Sequence, residues 1–437
     1  MRRLLSTLAL AFAAACAPAA AAVHGAKPPG YVPGEVVVQR SGQAEPSVVA
    51  VPRGMTVREA VRDLDAAPGV RYAVPNHLAR FAGFIPDDPG RGGRANWQRI
   101  QWNFLAPAGV NAPDAWGNLI AAGRPGGRGA TVAILDTGVA YRTTRRFRRS
   151  PDFVGTRFAP GYDFVDRDRF PDDQNGHGTF VAGVVAERVN NDRALTGIAY
   201  GATIMPVRVL DDQGLGDAAA IAKGIRYAAR TGANVINLSL EFDSSVPGSQ
   251  IPEVLSAIRY AQRKNVLVVA ASGNEALRIV AYPARATGVM SVGATTEHLC
   301  QAEYSNDGRG LDIVAPGGGA DAAIDDDPTH CRPDGRPGRD VFQLTFQGSV
   351  RRFGLPGGYQ GTSMATPHVS AIAALVIASG VIGPRPTPRA IEDRLESTAR
   401  DLGDPGIDQR YGAGLVDAAR ATAPPPPVPV PVPSAST

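Results

Sequence analysis

The chain has 437 residues, 44% hydrophobic, 6% aromatic and 20% charged, which supplies enough apolar material for a buried core and excludes wholesale disorder. Lys+Arg 45 against Asp+Glu 41 leaves a net charge of +4 with no basic block, which argues against nucleic acid as a partner. The length admits one large domain with appendages, and 50 glycines and 37 prolines predict many turns and loops.

Residues 1–22 open with Arg2 and Arg3, continue through an apolar run over 4–15 and end in small residues, the layout of a secretory signal peptide. No later segment offers about 18 uninterrupted apolar residues, so the expectation is a soluble chain, secreted or periplasmic, with no stable membrane span. Cys16 reads either as a lipid acceptor or as an incidental residue of a discarded leader. Cys300 and Cys331 then remain, an even count that in an oxidising compartment admits one disulfide or two free thiols.

Residues 34–80 read as strand, helix, strand, with β-rich 35–38, a capped amphipathic pattern over 56–64 and a second strand over 70–74. This predicts a small separate α+β unit. Pro86, Asp87, Asp88, Pro89 and the glycines that follow predict an open linker over 86–94. From residue 130, apolar strands over 131–135, 204–209, 235–239 and 266–270 alternate with helical patterns, including 216–230 and 252–264. Such alternation predicts an α/β domain over 95–422, with a mostly parallel sheet buried on both faces and ligands at the carboxyl ends of its strands. The Pro-Val alternation beyond residue 423 predicts an extended tail over 423–437.

Three motifs carry the chemistry. The first strand runs into Asp136-Thr137-Gly138. Asn175-Gly176-His177-Gly178-Thr179 opens an apolar helix over 180–189, and Gly361-Thr362-Ser363-Met364-Ala365-Thr366-Pro367-His368 heads another over 369–378. Each has a bland reading alone: a turn acid, a solvated loop histidine, a helix cap. Together they supply a nucleophile, a proton carrier and a carboxylate that orients the imidazole, the three roles amide hydrolysis needs. Pro367 fits a helix only if it lies in the first turn, which puts Ser363 at a helix N-terminus.

With these motifs in the order Asp, His, Ser, the chain resembles the subtilisin-like serine peptidases over about residues 95–420. The resemblance implies a three-layer α/β fold and an endopeptidase with Ser363 as nucleophile, His177 as general base and then acid, and Asp136 as orienting carboxylate. Ala271-Ser272-Gly273-Asn274 resembles the family's oxyanion segment, which implies Asn274 as a donor to the oxyanion and Ala271, Ser272 and Gly273 beside the substrate. Ser239-Leu240 and Gly214-Leu215-Gly216 resemble the two edges that flank an extended peptide. The chain departs from the pattern at Glu241 and Phe242, where glycines are common. Glu241 reads either as a solvated loop acid or as a carboxylate at the rim of the pocket for the residue before the scissile bond. Tyr282-Pro283 resembles a segment that often holds a cis-proline.

The resemblance also implies a structural Ca²⁺ held by the side chains of Gln101, Asp152 and Asn191 and the carbonyls of Val189, Arg193 and Leu195; a metal-free loop is the alternative. Asp163, Asp166, Asp168, Asp172 and Asp173 read as a second cation site or as an arginine-neutralised surface. Residues 23–85 resemble an inhibitory propeptide that acts as an intramolecular partner and is cut away, and a monomer acting on protein or peptide substrates is expected. A peptide-binding pseudoenzyme and a secreted esterase remain as competing readings of the same residues.

Overall fold

The computed structural model describes residues 31–52, 54–77, 84–324, 331 and 336–424; the leader, Cys16 and most of the Pro-rich tail lie outside them. The chain divides into two units, Met1–Phe81 and Ala82–Thr437.

In the first unit, β1 (Tyr31–Arg40) pairs antiparallel with both β2 (Ser47–Ala50) and β3 (Val70–His77), and α1 (Val57–Asp65) packs on the sheet. Val36 and Val38, two residues apart, share one face, and α1 buries Val57 and Ala60, one turn apart, against it. The helix begins where it does because Thr56 and Glu59 form a reciprocal cap: Thr56 Oγ1 accepts from Glu59 N at 3.2 Å while Glu59 Oε2 accepts from Thr56 N at 2.8 Å.

The second unit opens with α2 (Trp97–Ile100) and α3 (Ala112–Ala121), then β4 (Thr131–Asp136), β5 (Arg157–Phe158), β6 (Tyr162–Asp163) and α4 (His177–Ala186). There follow β7 (Thr203–Arg208), α5 (Ala218–Thr231), β8 (Val235–Leu238), α6 (Pro252–Arg263), β9 (Leu267–Ala271), β10 (Met290–Thr295) and β11 (Ile313–Pro316). A small hairpin of β12 (Thr345–Phe346) and β13 (Phe353–Gly354) precedes α7 (Thr362–Ser379), α8 (Pro388–Thr398) and α9 (Ala418–Thr422).

The sheet order is β11-β10-β9-β8-β4-β7-β5, with β6 also on β7, and the pairings are parallel. Alternate residues feed opposite cores. Val132, Ile134, Leu267 and Val269 join the core that holds α3, α4 and α7, whereas Ala133, Leu135, Val268 and Ala270 join the one that holds α5 and α6. That two-sided burial makes the strands read as unbroken apolar runs. Strand order diverges at β4, which has β7 on one side and β8 on the other, so the crevice of this fold opens at the carboxyl end of β4, where Asp136 lies. Helix α7 is long and apolar enough to cross a membrane, yet most of it is buried inside this unit.

One expectation differs from the structure in detail. The first part of the segment 86–94 is not open, since Trp97 Nε1 donates to Pro86 O at 2.8 Å, Gly90 N donates to Ala194 O at 2.8 Å and Asp88 is fully buried, whereas 91–94 are exposed. Of the two readings of the acidic stretch before His177, the arginine-neutralised one fits: Asp163 pairs with buried Arg208 at 2.9 Å and Asp172 is gripped by Arg142, while Asp166 and Asp168 are exposed and Asp173 is enclosed by amides and hydroxyls. Cys300 and Cys331 form a disulfide, with Cα atoms 5.6 Å apart. Both Tyr282–Pro283 and Ala106–Pro107 are cis.

Candidate active site

Asp136 ends β4 fully buried, and its Oδ1 accepts from the Thr137 amide at 2.7 Å and from His177 Nδ1 at 2.7 Å. His177 is the first residue of α4, reached through Gly176 at φ +112°, a conformation that only glycine adopts without strain. Asp173 fixes this entry: Oδ1 accepts from the Asn175 and Gly176 amides, each at 2.9 Å, and Oδ2 accepts from Thr179 N at 3.0 Å and Thr179 Oγ1 at 2.6 Å. The imidazole is 25% exposed. Burial pulls its pKa down, but the charge of Asp136 and its hydrogen bond outweigh that and hold it above the ordinary 6.5.

Gly178 lets the histidine and aspartate segments touch, since a Cβ there would overlap Gly138 O and sit 3.1 Å from the Asp136 Cβ. Gly178→Ala is therefore expected to cost about 1–3 kcal/mol through overpacking and to separate His177 from Asp136, a loss that thermal unfolding and activity report together.

Ser363 is the second residue of α7, so its amide belongs to the first turn, whose N–H groups point out of the helix end. Pro367 lies well inside the helix and not in its first turn as expected. A proline there removes the hydrogen bond that Ser363 O would receive; that carbonyl instead accepts from Ser239 Oγ at 2.8 Å. Proline thus frees the Ser363 carbonyl to tie α7 to the segment after β8. The Ser363 hydroxyl donates to Ser239 O at 3.2 Å. His368, next in the motif, is structural: burial pushes its pKa down to about 4, Nδ1 meets Met364 O at 2.8 Å, and Nε2 accepts from Asn103 Nδ2 at 2.8 Å.

Asn274 follows β9. Its Oδ1 accepts from Thr362 N at 2.8 Å and Thr362 Oγ1 at 3.1 Å, which fixes the amide with Nδ2 turned the other way. Nδ2 donates to Glu241 Oε1 at 3.2 Å. Asn274 therefore stands between the helix that carries Ser363 and Glu241, where the sequence departs from the family it resembles.

His177 and Ser363 line one cleft of about 400 Å³ together with Gly214, Leu215, Gly216, Ser239, Leu240, Glu241 and Phe242. Leu215 is 70% exposed, an apolar side chain left for a ligand to cover. Gly273 lies against the same wall, within reach of Glu241. Ala271 and Ser272 differ from the expectation: both are buried behind the cleft, and Ser272 spends its amide on Val292 O and its carbonyl on the Ala281 amide.

The six residues expected around calcium do not all converge. Gln101 is buried with its amide fully engaged, Oε1 accepting from Thr196 N and Oγ1, Nε2 donating to Thr196 O and Gln343 Oε1. That network runs to buried Glu187 through Gln343. Asp152 and Asn191 do meet, with Asn191 Nδ2 donating to Asp152 Oδ1 at 3.4 Å, while Asp152 Oδ2 accepts from Leu195 N at 3.0 Å and Asn191 Oδ1 from Arg193 N at 2.8 Å. Val189 and exposed Arg193 lie along the same loop. The residue that sequence reasoning missed is Asp88, whose carboxylate accepts from Asn190 N at 3.0 Å and Asn191 N at 3.1 Å. Burial raises its pKa and pushes Asp152 up to about 7. Among the described residues neither acid makes an ion pair, and no group of three or more His, Cys, Asp or Glu is placed to hold a metal.

Residues 127–414 match the model of the subtilase family, and residues 38–76 that of the fervidolysin N-terminal prodomain. The chain is 32% identical over 404 residues to a thermophilic serine proteinase of Bacillus sp. (strain AK1), covering 87% of this chain and 86% of that protein. It is 36% identical over 296 residues to subtilisin Savinase of Lederbergia lenta, covering 68% of this chain and 91% of that one. A solved protease from Pseudoalteromonas arctica superposes with a TM-score of 0.60 at 30% identity, over 78% of this chain and 99% of the other. A family model spanning more than half the sequence, relatives of this identity and the shared parallel-sheet fold lead to one conclusion: the chain belongs to the subtilase family and is a serine endopeptidase preceded by a prodomain.

Proposed function

We propose that the protein is a secreted, self-processing endopeptidase in which Ser363, His177 and Asp136 form the catalytic triad and Asn274 assists the oxyanion. The observation that carries this reading is the 2.7 Å contact between His177 Nδ1 and buried Asp136, at the mouth of the cleft that Ser363 also lines. The carboxylate keeps the proton on Nδ1, which leaves Nε2 free to accept one. The Ser363 oxygen bonds to the scissile carbonyl carbon as its proton passes to His177 Nε2. The C–N bond then breaks as the imidazolium returns that proton to the amine, and water repeats the sequence on the acyl-enzyme. Asn274 Nδ2 and the Ser363 amide are the donors for the intermediate's O⁻, fixed in advance by Thr362 and by the helix end. Digestion of a peptide library with the mature enzyme, read by mass spectrometry, should yield internal cleavages. Turnover of esters only would favour the esterase reading, and binding without turnover the pseudoenzyme.

Only neutral imidazole accepts the serine proton, and Asp136 raises the histidine pKa, so the acid limb of kcat/KM should have its midpoint above 6.5. A pH-rate profile of the free enzyme checks this; a midpoint at or below 6.5 contradicts it.

Secretion rests on the signal-peptide layout of residues 1–22, and self-processing on the prodomain match. We place the cut before Phe84, because Phe84 packs edge-on against Trp116 with ring centroids 6.2 Å apart, as part of the catalytic unit. N-terminal sequencing of the mature protein tests it.

The family commonly binds structural calcium, and the donor chemistry here suits a hard cation: two buried carboxylates without an ion pair, Asp88 and Asp152, meet at Asn191. Asp88 takes the place first expected of Gln101, with the carbonyls of Val189, Arg193 and Leu195 completing the set. Chelation should lower the thermal midpoint and added Ca²⁺ restore it, with stabilisation of about 2.7 kcal/mol at a hundredfold excess over Kd. Asp152→Asn should abolish the response.

A further inference from the structure

The geometry points to Glu241 as the residue that selects substrates, favouring a lysine or arginine immediately before the scissile bond. This deepens the peptidase reading and rests on it.

Glu241 is held firmly. Its neighbour Phe242 donates its amide to Tyr282 O at 2.8 Å, and two residues earlier Ser239 Oγ is bound to Ser363 O. From that anchored backbone the carboxylate reaches the segment after β9, where Oε1 accepts from Asn274 Nδ2. A Cβ on Gly273 would lie 2.8 Å from Oε2, so the carboxylate lies against that glycine, between the two segments that flank the nucleophile. The Oε2 atom is buried and receives no hydrogen bond.

The charges around it do not neutralise it. Glu275 adds repulsion. Among the described residues that line the cleft none is a lysine or an arginine. A buried acceptor with unused capacity next to a second carboxylate is complementary to a cation, and the substrate side chain that enters beside Ser363 is the group in a position to supply one.

The transition state sharpens the requirement. As the acyl oxygen becomes an anion, it draws on the same Asn274 amide that Glu241 already engages, and the ionised carboxylate opposes the new negative charge nearby. An uncharged substrate side chain leaves that repulsion in place. A guanidinium or ammonium that pairs with the Glu241 carboxylate from the cleft offsets it, so the preference should appear in kcat as well as in KM.

The test compares two peptides identical except for arginine or citrulline before the scissile bond, a pair of equal shape that differs in charge. The mature enzyme should cleave the arginine peptide with kcat/KM at least about 20-fold higher, and Glu241→Gln should shrink that ratio to about threefold or less. Fluorophosphonate titration counts competent sites in each preparation, so poor folding of the variant is not mistaken for lost selectivity. Equal rates for the two peptides in the unmodified enzyme overturn the inference without any variant, as does an unchanged ratio in a Glu241→Gln enzyme that titrates fully. Those outcomes leave the peptidase reading intact. Absence of both labelling and cleavage of either peptide would defeat the peptidase reading, and this inference with it.

Discussion

Replacing Ser363 by alanine should lower peptide hydrolysis by about 10⁶-fold and leave the prodomain attached, because it removes the hydroxyl proposed to form the acyl intermediate, and the other hydroxyls of the cleft, Thr137 and Ser239, are engaged with Asp173 and with Ser363 O. The magnitude is one measured on a subtilisin, not one derived from this geometry. The hydroxyl donates to Ser239 O and fills no tightly packed space, so the variant should fold normally. Mass spectrometry of the purified variant gives the processing result directly: an intact precursor is expected, and full self-cleavage in isolation contradicts the assignment.

Asp136→Asn should reduce kcat by about 10⁴-fold with little change in the fold, the effect that a wrong histidine tautomer produces in such triads. An asparagine amide at this position donates to His177 Nδ1 instead of accepting from it. The ring proton then moves to Nε2, the atom that must take the serine proton. Because Asp136 is fully buried, water cannot stand in for the lost carboxylate. A steady-state kcat measured against titrated active sites, with thermal unfolding as the control, separates the tautomer effect from loss of structure. A fall of less than about tenfold would show that the carboxylate does not orient the ring.

The residues of the proposed triad were legible because each lies at a chain feature that sequence marks locally. Asp136 ends an apolar strand, His177 follows the glycine that the left-handed backbone requires, and Ser363 starts an apolar helix. The parallel sheet was legible for a related reason: strands buried on both faces lose the polar alternation that would suggest a one-sided sheet.

What failed to show depends on partners distant in sequence. Gln101 was expected at the calcium loop, yet its amide is saturated by Thr196 and by Gln343, the latter 242 residues away, while Asp88 in an apparent linker reaches the loop. Pro367 was expected in the first turn because its missing amide seemed to demand it, but the orphaned carbonyl has a partner in Ser239. The acidic run before His177 was read as arginine-neutralised, but which partners do it, Arg208 and the amides around Asp173, is set only when β6 pairs with β7 and α4 is in place. Glu241 stood out as a departure from the family, and the position of its carboxylate against Asn274 came only from the fold.

In the proposed mechanism His177 activates Ser363. The most direct measurement is the rate and site of phosphonylation by a fluorophosphonate, located by peptide mapping in the native enzyme and in a His177→Ala variant. A single adduct on Ser363 is expected, formed rapidly in the native enzyme and almost lost in the variant. An adduct on another serine, or equal rates in the two proteins, would contradict it.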